Sequence, residues 1–311
     1  MIPARTLAAI MLFAAAMPWA NPAHADDAAI MRAFPAAAPW LASIRADEAA
    51  LGRYPDQRDR FFEPEGRPVA CALLIHGLNT LPTAMDALAA MLASQGVLVF
   101  RTALAGHGCP PEAFTAAGRE RWLSDARRAW AVVTACADAL DVPALAVGFS
   151  LGGLVIVDLE RSDPGFRPDG VILLAPASAV RARVNLLRVP AALGLSVRSR
   201  APSAYRSADR LPAEAYRALF ACVDRLGGRP LPVTAPCLVI VDPGDFLVDA
   251  RALERAAAIL PACRYVTVDA AGSVPGGRHH LLLDPESAGT AAWAVIRRET
   301  AAFVASVIGR R

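Results

Sequence analysis

The chain has 311 residues, of which 55% are hydrophobic and 20% charged, a composition that excludes an intrinsically disordered protein and predicts a large core. All 32 basic residues are arginine, but the formal charge is only +3, so nothing indicates a general nucleic-acid binder. This length suits one large domain or two small ones.

The first 25 residues have the pattern of an export signal. Arg5 lies in a short n-region, residues 6–20 form an apolar stretch, and residues 23–25 offer an A-x-A cleavage site. The apolar stretch is short for a membrane span. We therefore expect cleavage after Ala25 and a periplasmic or secreted mature protein, with an uncleaved N-terminal anchor as the alternative.

Short apolar runs then alternate with amphipathic helical patterns. Residues 26–60 are expected to form a helical, Ala-rich lead-in. Strands are predicted at residues 69–77, 97–104, 144–150, 170–177, 237–242 and 264–270. Helices are predicted at residues 82–96, 117–140, 151–162, near 250–260 and near 287–308. This alternation is typical of βαβ units, so the predicted fold class is α/β, with a mostly parallel sheet covered by helices on both faces.

One long segment interrupts the alternation. Residues 178 to about 235 contain no clear strand but several Pro and Arg residues. An insertion at this point of an open α/β sheet lies over the carboxyl ends of the strands, where ligands bind. We therefore predict one domain over residues 26–311, with residues 178–235 as a helical cap.

Six cysteines follow the export signal, and none of them has the C-x-x-C spacing of a zinc site. In an oxidising compartment some of them are expected to pair. Cys237 and Cys263 each head an apolar run, so their sulfurs meet if the two runs are neighbouring strands in matching register. The alternative is that both are small buried hydrophobic residues.

The run ALAVGFSLGG, residues 144–153, places Ser150 between a predicted strand and a predicted helix. The pattern G-x-S-x-G at such a switch is typical of a nucleophile elbow, where Gly148 and Gly152 let the strand and helix approach each other. The serine lies in a strained turn, and the helix N-terminus adds a positive dipole end near developing negative charge. The alternative is a Gly-rich turn with an incidental serine.

A serine hydroxyl is a weak nucleophile unless a base accepts its proton. Of the five histidines, His24 leaves with the signal, and only His279 and His280 fit the order serine, acid, histidine that this kind of site uses. Both lie in a loop beyond the last predicted strand, at the same sheet edge as Ser150. A surface histidine pair in a turn is the alternative.

An acidic residue must orient that imidazole and stabilise its charged form. Asp242, Asp245 and Asp249 follow the strand predicted at residues 237–242. Asp245 is best placed to reach the histidine loop. Asp242 suits an Asp-Pro-Gly turn, and Asp249 suits the cap of the next helix.

The tetrahedral intermediate of such a reaction needs hydrogen-bond donors for its oxyanion. The backbone N–H of Leu151, directly after the serine, is one predicted donor. The other is expected from the loop after the first strand, where Gly77 allows an inward turn and Leu78 follows it. His76 precedes that turn, so we expect it to brace the loop rather than to act as a base.

These residues resemble the α/β-hydrolase family and, within it, the bacterial carboxylesterase and monoacylglycerol-lipase group. The similarity runs from about residue 69 to residue 307 and depends on the stretches LLIHGL, ALAGHGCPPEAF, WLSDARRAW, VGFSLGG, DPGDFLVD and RHHLLLD, in this order. The resemblance implies Ser150 as the nucleophile and Leu78 and Leu151 as the oxyanion donors. His107 matches a loop that shapes the site and is not expected to be catalytic.

The resemblance also ranks the remaining candidates. The family's acid is followed two residues later by an apolar pair, which favours Asp245 and leaves Asp242 as the alternative acid. The family's histidine tends to stand five residues before an acidic residue. Asp284 lies five residues after His279 and four after His280, so His279 is the preferred base and His280 the alternative.

The cap is expected to decide specificity. Residues 184–197 are apolar enough to line an acyl pocket. The cap segment has ten arginines against three acidic residues. One interpretation is a membrane-surface contact with anionic headgroups, and the other is a solvated Arg-rich face.

The sequence therefore predicts a serine carboxylesterase or lipase-type enzyme that acts on small-molecule esters or lipids. Short to medium acyl esters and monoglycerides are the expected substrates, and no cofactor or metal is implied. A serine peptidase or amidase on the same fold is one alternative. A non-catalytic binding protein of this fold is the other, although such proteins usually lack a member of the triad.

Overall fold

The computed structural model describes residues 27–270, 274, 276–277 and 279–310, so the predicted export signal at residues 1–25 lies outside the described residues. The α-helices are α1 (Asp27–Ala33), α2 (Ala38–Ala50), α3 (Asp86–Ala93), α4 (Arg119–Leu140), α5 (Leu151–Ser162), α6 (Arg188–Ala192), α7 (Ala213–Arg225), α8 (Ala250–Ala258), α9 (Pro285–Ala288) and α10 (Thr290–Ile308). The strands are β1 (Arg60–Phe62), β2 (Ala70–Ile75), β3 (Val97–Thr102), β4 (Ala144–Phe149), β5 (Gly170–Leu174), β6 (Val197–Arg198), β7 (Arg210–Leu211), β8 (Cys237–Val241) and β9 (Cys263–Thr267). Among the helices described, none is both long and apolar enough to cross a membrane.

The central sheet has seven strands in the order β1-β3-β2-β4-β5-β8-β9. Strand β1 runs antiparallel to β3, and all other neighbours in this sheet are parallel. The carboxyl ends of six strands therefore meet at one edge, where the predicted site residues follow β2, β4 and β8. The predicted α/β class with a mostly parallel sheet is confirmed.

Helices cover both faces of the sheet. One apolar cluster joins the sheet to α2, α4, α5 and α8, and a second joins the opposite face to α3 and α10. In β2, Leu73 and Ile75 belong to the first cluster, whereas Ala72 and Leu74 belong to the second. Because β2 is buried on both faces, its sequence is continuously apolar rather than alternating.

Two parts of the fold differ from the sequence prediction. Strand β1 begins at Arg60, where the expected helical lead-in ends, was not predicted, and forms one edge of the sheet. Strands β6 and β7 form a small antiparallel pair inside the segment expected to be helical. Runs of two or three residues are too short to show a strand's period of two, so the pattern could not reveal them.

The cap follows β5 and ends before β8. It consists of a short 3₁₀ helix at Ala182–Leu187, helices α6 and α7, and the β6–β7 pair. A third apolar cluster holds it together and includes Phe114, Val184, Leu211 and Phe220. A bridge between Val180 and Val248 ties this segment to the sheet's carboxyl edge.

Cys237, the first residue of β8, pairs in register with Cys263, the first residue of β9. Their sulfurs form a disulfide, and their Cα atoms lie 4.5 Å apart. The sequence left this pairing open, because it depended on the two runs being neighbours. The remaining four cysteines, Cys71, Cys109, Cys136 and Cys222, are buried thiols.

Candidate active site

Ser150 occupies a sharp turn between β4 and α5. Its backbone has φ 50° and ψ −109°, a conformation that a residue with a Cβ rarely adopts. A Cβ on Gly148 would lie 2.5 Å from the backbone of Gly152, and one on Gly152 would lie 2.2 Å from the carbonyl oxygen of Ile75. The glycines are therefore required where strand and helix cross, as the elbow pattern predicted.

The Ser150 hydroxyl faces a histidine and an aspartate. Its Oγ lies 3.0 Å from His280 Nε2, and His280 Nδ1 lies 2.7 Å from Asp245 Oδ2. All three side chains are buried, and the His280 ring packs against Phe149, with ring centroids 5.1 Å apart. Two hydrogen bonds thus connect a hydroxyl, an imidazole and a carboxylate, which is the arrangement that can activate a serine as a nucleophile.

The Asp245 carboxylate is fixed by the backbone that follows it. Its Oδ1 accepts N–H bonds from Leu247 at 2.7 Å and Val248 at 2.9 Å, which leaves Oδ2 for His280. The Asp245 N–H in turn donates to the carbonyl of Asp242, closing a turn after β8. The turn therefore aims this carboxylate at the histidine loop.

His279, the base that the sequence preferred, lies against a different carboxylate, whereas the alternative, His280, lies against Ser150. The Nδ1 of His279 lies 3.0 Å from Asp242 Oδ2, and the His279 side chain is 38% exposed. Asp242 also accepts the N–H of Gly244 at 2.7 Å and that of Ala270 at 2.6 Å. Asp242 thus serves the turn, as the sequence predicted, and holds His279 away from Ser150.

The spacing that favoured His279 has a separate explanation. Asp284 caps helix α9 by accepting the N–H of Ser287 at 2.6 Å, and it also accepts the Tyr205 hydroxyl at 3.1 Å. The place of Asp284 in the sequence is therefore explained by the start of this helix and says nothing about which histidine is the base. A separation of four residues from His280 is therefore compatible with the same site.

The loop expected to carry Leu78 passes directly beside the elbow. A Cβ on Gly77 would lie 2.8 Å from the ring of Phe149, the residue before Ser150. Leu151 begins α5, so its N–H is among the helix-terminal donors that lack an intrahelical acceptor. Leu151 thus follows Ser150 directly, and the loop that contains Leu78 lies beside Phe149 at the same carboxyl edge.

Two buried imidazoles flank the Leu78 loop. His76 Nδ1 bonds to the Gly77 carbonyl at 2.8 Å, while its Nε2 accepts the N–H of Leu104 at 3.0 Å. His107 Nε2 accepts the N–H of Asn79 at 3.0 Å. The peptide units on both sides of Leu78 are thus held by imidazoles, and His76 braces this loop as expected.

Burial keeps both of these imidazoles neutral. It lowers the pKa of His76 well below its ordinary value, and it lowers the pKa of His107 to about 3. A neutral ring retains one nitrogen without a proton, and that nitrogen accepts the N–H of Leu104 or of Asn79. Neither ring has a hydrogen bond to Ser150, so His107 is positioned as a structural residue.

Asn79 links the same loop to the cap, and sequence reasoning assigned it no role. Its Nδ2 donates to Ser199 Oγ and to the Ala208 carbonyl, both at 2.9 Å, and its Oδ1 accepts the Ala208 N–H at 2.9 Å. Its φ of 57° is one that asparagine tolerates better than most residues. An asparagine directly after Gly-Leu in this turn was the available signal.

One group of side chains at the rim has metal-ligating chemistry. Ligand atoms of Asp242, Asp269 and His279 lie within 4.8 Å of one another, and the three residues line a surface cleft. Because none of these three residues is a cysteine, the spacing of the cysteines could not reveal this cluster. The Asp242 oxygens already accept two N–H bonds and face His279, so the turn accounts for this residue's geometry.

Comparison with protein families gives one match. Residues 66–214 match the family model described as serine aminopeptidase, S33. This range contains β2, the elbow at Ser150 and most of the cap, and it ends before Asp245 and His280. A search of curated proteins found no match.

Comparison with solved structures finds lipolytic enzymes. A soluble variant of monoglyceride lipase from Saccharomyces cerevisiae, in complex with a substrate analog, has a TM-score of 0.66 and 13% identity over 80% of this chain and 92% of that one. A metagenome-derived lipolytic enzyme has a TM-score of 0.62 and 18% identity, over 82% and 99% of the two chains. The monoacylglycerol lipase of Paleococcus ferrophilus has a TM-score of 0.57 and 19% identity, over 80% and 98%. At these identities, the likeness shows a shared fold.

Proposed function

We propose that this chain, which has the fold of the α/β-hydrolases, cleaves carboxylic esters with Ser150 as nucleophile, His280 as base and Asp245 as the orienting acid. The observation that carries the proposal is the continuous contact from Ser150 Oγ to His280 at 3.0 Å and from His280 to Asp245 at 2.7 Å. The strained backbone of Ser150 supports the same role, because such strain persists only where the surroundings enforce it.

In the first half-reaction, Ser150 Oγ attacks the ester carbonyl carbon while its proton moves to His280 Nε2. Asp245 stabilises the imidazolium through Nδ1–H. The carbonyl oxygen becomes an oxyanion that accepts the N–H groups of Leu78 and Leu151. The intermediate then breaks its bond to the alcohol oxygen, which takes the proton from His280 and leaves an acyl-serine.

In the second half-reaction, water replaces the alcohol. His280 accepts a proton from the water, whose oxygen attacks the acyl carbon and regenerates the oxyanion. Collapse returns the proton to Ser150 Oγ and releases a carboxylic acid. The buried His76 and His107 hold the oxyanion loop and take no part in the transfer of protons.

Short to medium acyl esters and monoglycerides are the proposed substrates. The names of the yeast and Paleococcus neighbours, both monoglyceride lipases, support this class at the level of a shared fold. The expected acyl pocket in residues 184–197 receives less support, because Leu186, Val189, Leu193 and Leu195 are exposed. We therefore assign no chain length to the substrate.

A serine peptidase or amidase is the second candidate, favoured by the description of the matched family as a serine aminopeptidase. The triad chemistry is the same for amides and esters, so only the substrate's fit discriminates the two. Parallel assays with p-nitrophenyl butyrate and an amino-acid p-nitroanilide separate them. Faster turnover of the anilide would replace the ester proposal by this second one.

A labelling experiment tests the nucleophile. Incubation with a p-nitrophenyl phosphonate should release one equivalent of p-nitrophenol, inactivate the enzyme and add the phosphonyl mass to the peptide containing Ser150. The Ser150→Ala variant should remain unlabelled and inactive. A label elsewhere, or turnover of p-nitrophenyl butyrate by a folded Ser150→Ala variant, would reject the mechanism.

We also propose export to the periplasm or beyond the cell. The Cys237–Cys263 disulfide supports it, because such bonds persist in oxidising compartments. The measurement is the N-terminal mass of the protein recovered from the periplasmic or culture fraction. A mature protein that begins at Asp26 is expected, and an intact N-terminus retained in the cytoplasm contradicts the proposal.

A further inference from the structure

We infer that one outer face of the cap docks on anionic lipid surfaces. The face, here called the cap ridge, consists of Leu186, Val189, Leu193 and Leu195 with the arginines that surround them. The inference goes beyond ester hydrolysis, since docking is a property of the surface and is measured without turnover.

The apolar part of the cap ridge is unusually exposed. Leu186 is 71% exposed, Leu193 68%, Val189 61% and Leu195 53%, and all four lie within ten residues. In the same segment, Val184 and Ala191 are buried in the cap's own cluster. The segment thus divides its apolar residues between an inner and an outer face, and the outer four contact water. Apolar residues grouped in this way on a surface mark an interaction site.

Arginines surround these apolar side chains. Arg198 and Arg200 follow the cap ridge directly, are exposed and have no carboxylate within 4.0 Å among the described residues. Arg217 Nη2 lies 3.4 Å from the Ala192 carbonyl, and Arg210 Nη2 lies 2.9 Å from that of Ser196, so α7 and β7 bring further cations to the same side.

The charge is local to the cap. Residues 178–235 contain ten arginines and three acidic residues, whereas the formal charge of the whole chain is only +3. All three acids face arginines within the segment, namely Asp224 with Arg188, Asp209 with Arg206 and Glu214 with Arg217, so seven of the ten arginines have no acid of the segment to balance them. The outer face of the cap therefore presents positive charge around an apolar centre.

This combination selects a lipid surface as the partner. Each arginine near an anionic bilayer contributes a favourable interaction that falls off within a Debye length. Leucine and valine side chains enter the boundary between headgroups and acyl chains, while arginine stems extend their charged ends to the phosphates. A cap that docks in this way holds the active site at the surface from which a lipid ester arrives.

Residues on either side of the cap ridge contact the loops that carry the site. Arg183, on the same segment, places its guanidinium 4.4 Å from the ring centroid of Phe246, the residue after Asp245. Asn79, in the oxyanion loop, bonds to Ser199 and Ala208 of the cap. Docking through this face therefore brings a segment directly connected to the site to the lipid surface.

Vesicle sedimentation with the full-length Ser150→Ala protein tests the inference. Vesicles of phosphatidylcholine with about 30% phosphatidylglycerol should bind the protein at about 0.05 M salt, and binding should fall more than tenfold at about 0.5 M salt. Vesicles of pure phosphatidylcholine should bind at least tenfold more weakly. Arg198→Gln with Arg200→Gln should reduce anionic binding by about thirtyfold. Leu186→Ser with Leu193→Ser should reduce it by at least tenfold.

Helix α8 provides a matched control. Its exposed Arg251 and Arg255, with Ile259, which is 80% exposed, have a similar composition on a surface outside the cap. The triple variant Arg251→Gln, Arg255→Gln, Ile259→Ser should bind vesicles like the parent. Circular dichroism of every variant shows whether it folds. The same substitutions in an active background should leave p-nitrophenyl butyrate turnover unchanged.

Three results overturn the inference. Equal binding to neutral and anionic vesicles removes the role of charge. An α8 variant that loses as much binding as the cap variants assigns the effect to general surface properties. Self-association of the parent at assay concentration that is abolished by Leu186→Ser with Leu193→Ser, without vesicle binding, identifies the cap ridge as an interface between copies of this chain.

Discussion

The Asp245–His280 pair and the Asp242–His279 pair arise from the same two loops, yet they differ in what the imidazole contacts beyond its carboxylate. His280 is buried, and its Nε2 contacts Ser150 Oγ. His279 is 38% exposed and faces the rim. The two aspartates are equally buried, so burial of the acid does not separate them.

An aspartate–histidine contact by itself therefore does not place an imidazole against Ser150. The two histidines are adjacent, and His279 has a φ of 59°, so the chain turns sharply between them. The turn directs one ring to the elbow and the other to the exterior. Both pairs orient an imidazole, but only one can move a proton to or from a reacting group, and substitutions should therefore separate them.

The largest expected effect separates the two acids. Asp245→Asn should lower kcat for p-nitrophenyl butyrate by about four orders of magnitude, because an amide donor in place of Oδ2 favours the wrong tautomer of His280. Asp242→Asn should cost less than about a hundredfold, because it affects only the position of the loop. A thermal unfolding curve for each variant provides the folding control. Equal losses of kcat would contradict the distinction between the pairs.

The disulfide supports both pairs, because it joins the strands β8 and β9 that carry their loops. Replacing Cys237 and Cys263 by alanine removes a cross-link across 26 residues and should lower the free energy of unfolding by about 3 kcal/mol. Urea denaturation measures this change, with Cys222→Ala as the control that loses a buried sulfur but no cross-link. If the double variant were as stable as the oxidised parent, this cross-link would have no structural role.

The smallest effect concerns the imidazoles that lack a carboxylate partner. Because burial lowers the pKa of folded His107 to about 3, the unfolded chain binds more protons between that value and the ordinary value near 6.5. Stability from this residue is thus complete above pH 6.5 and falls by about 2 kcal/mol between pH 7 and pH 5. The His107→Gln variant keeps an acceptor for Asn79 but cannot titrate, so its loss of stability over this range should be smaller by that amount. An unchanged loss would mean that His107 is protonated in the folded protein.

The sequence predicts the parts of the fold that have long apolar runs. Strands β2, β4 and β8 are buried on both faces, and their runs of five or six apolar residues leave few alternatives. The elbow was equally visible, because Gly148 and Gly152 are required by backbone contacts that any such turn makes. Strand β1 was missed, because its pairing with β3 depends on neighbours distant in sequence.

The site was predicted as a set of candidates, and tertiary contacts that the sequence does not reveal bring only some of them to Ser150. The choice between His279 and His280 depends on one backbone turn, and the spacing to Asp284 reflected a helix cap instead. The role of Asn79 depends on Ser199 and Ala208, more than a hundred residues away. Such contacts leave no periodic pattern in the sequence.

The most direct measurement compares the two neighbouring histidines. The substitutions His279→Ala and His280→Ala are matched, because each removes one imidazole from the same loop. Their rates of p-nitrophenyl butyrate hydrolysis should nevertheless differ greatly, because only His280 contacts Ser150. We predict that His280→Ala loses about four to six orders of magnitude in kcat, and that His279→Ala retains at least about one hundredth of the parent activity. An inactive His279→Ala variant beside an active His280→Ala variant would contradict the proposed triad.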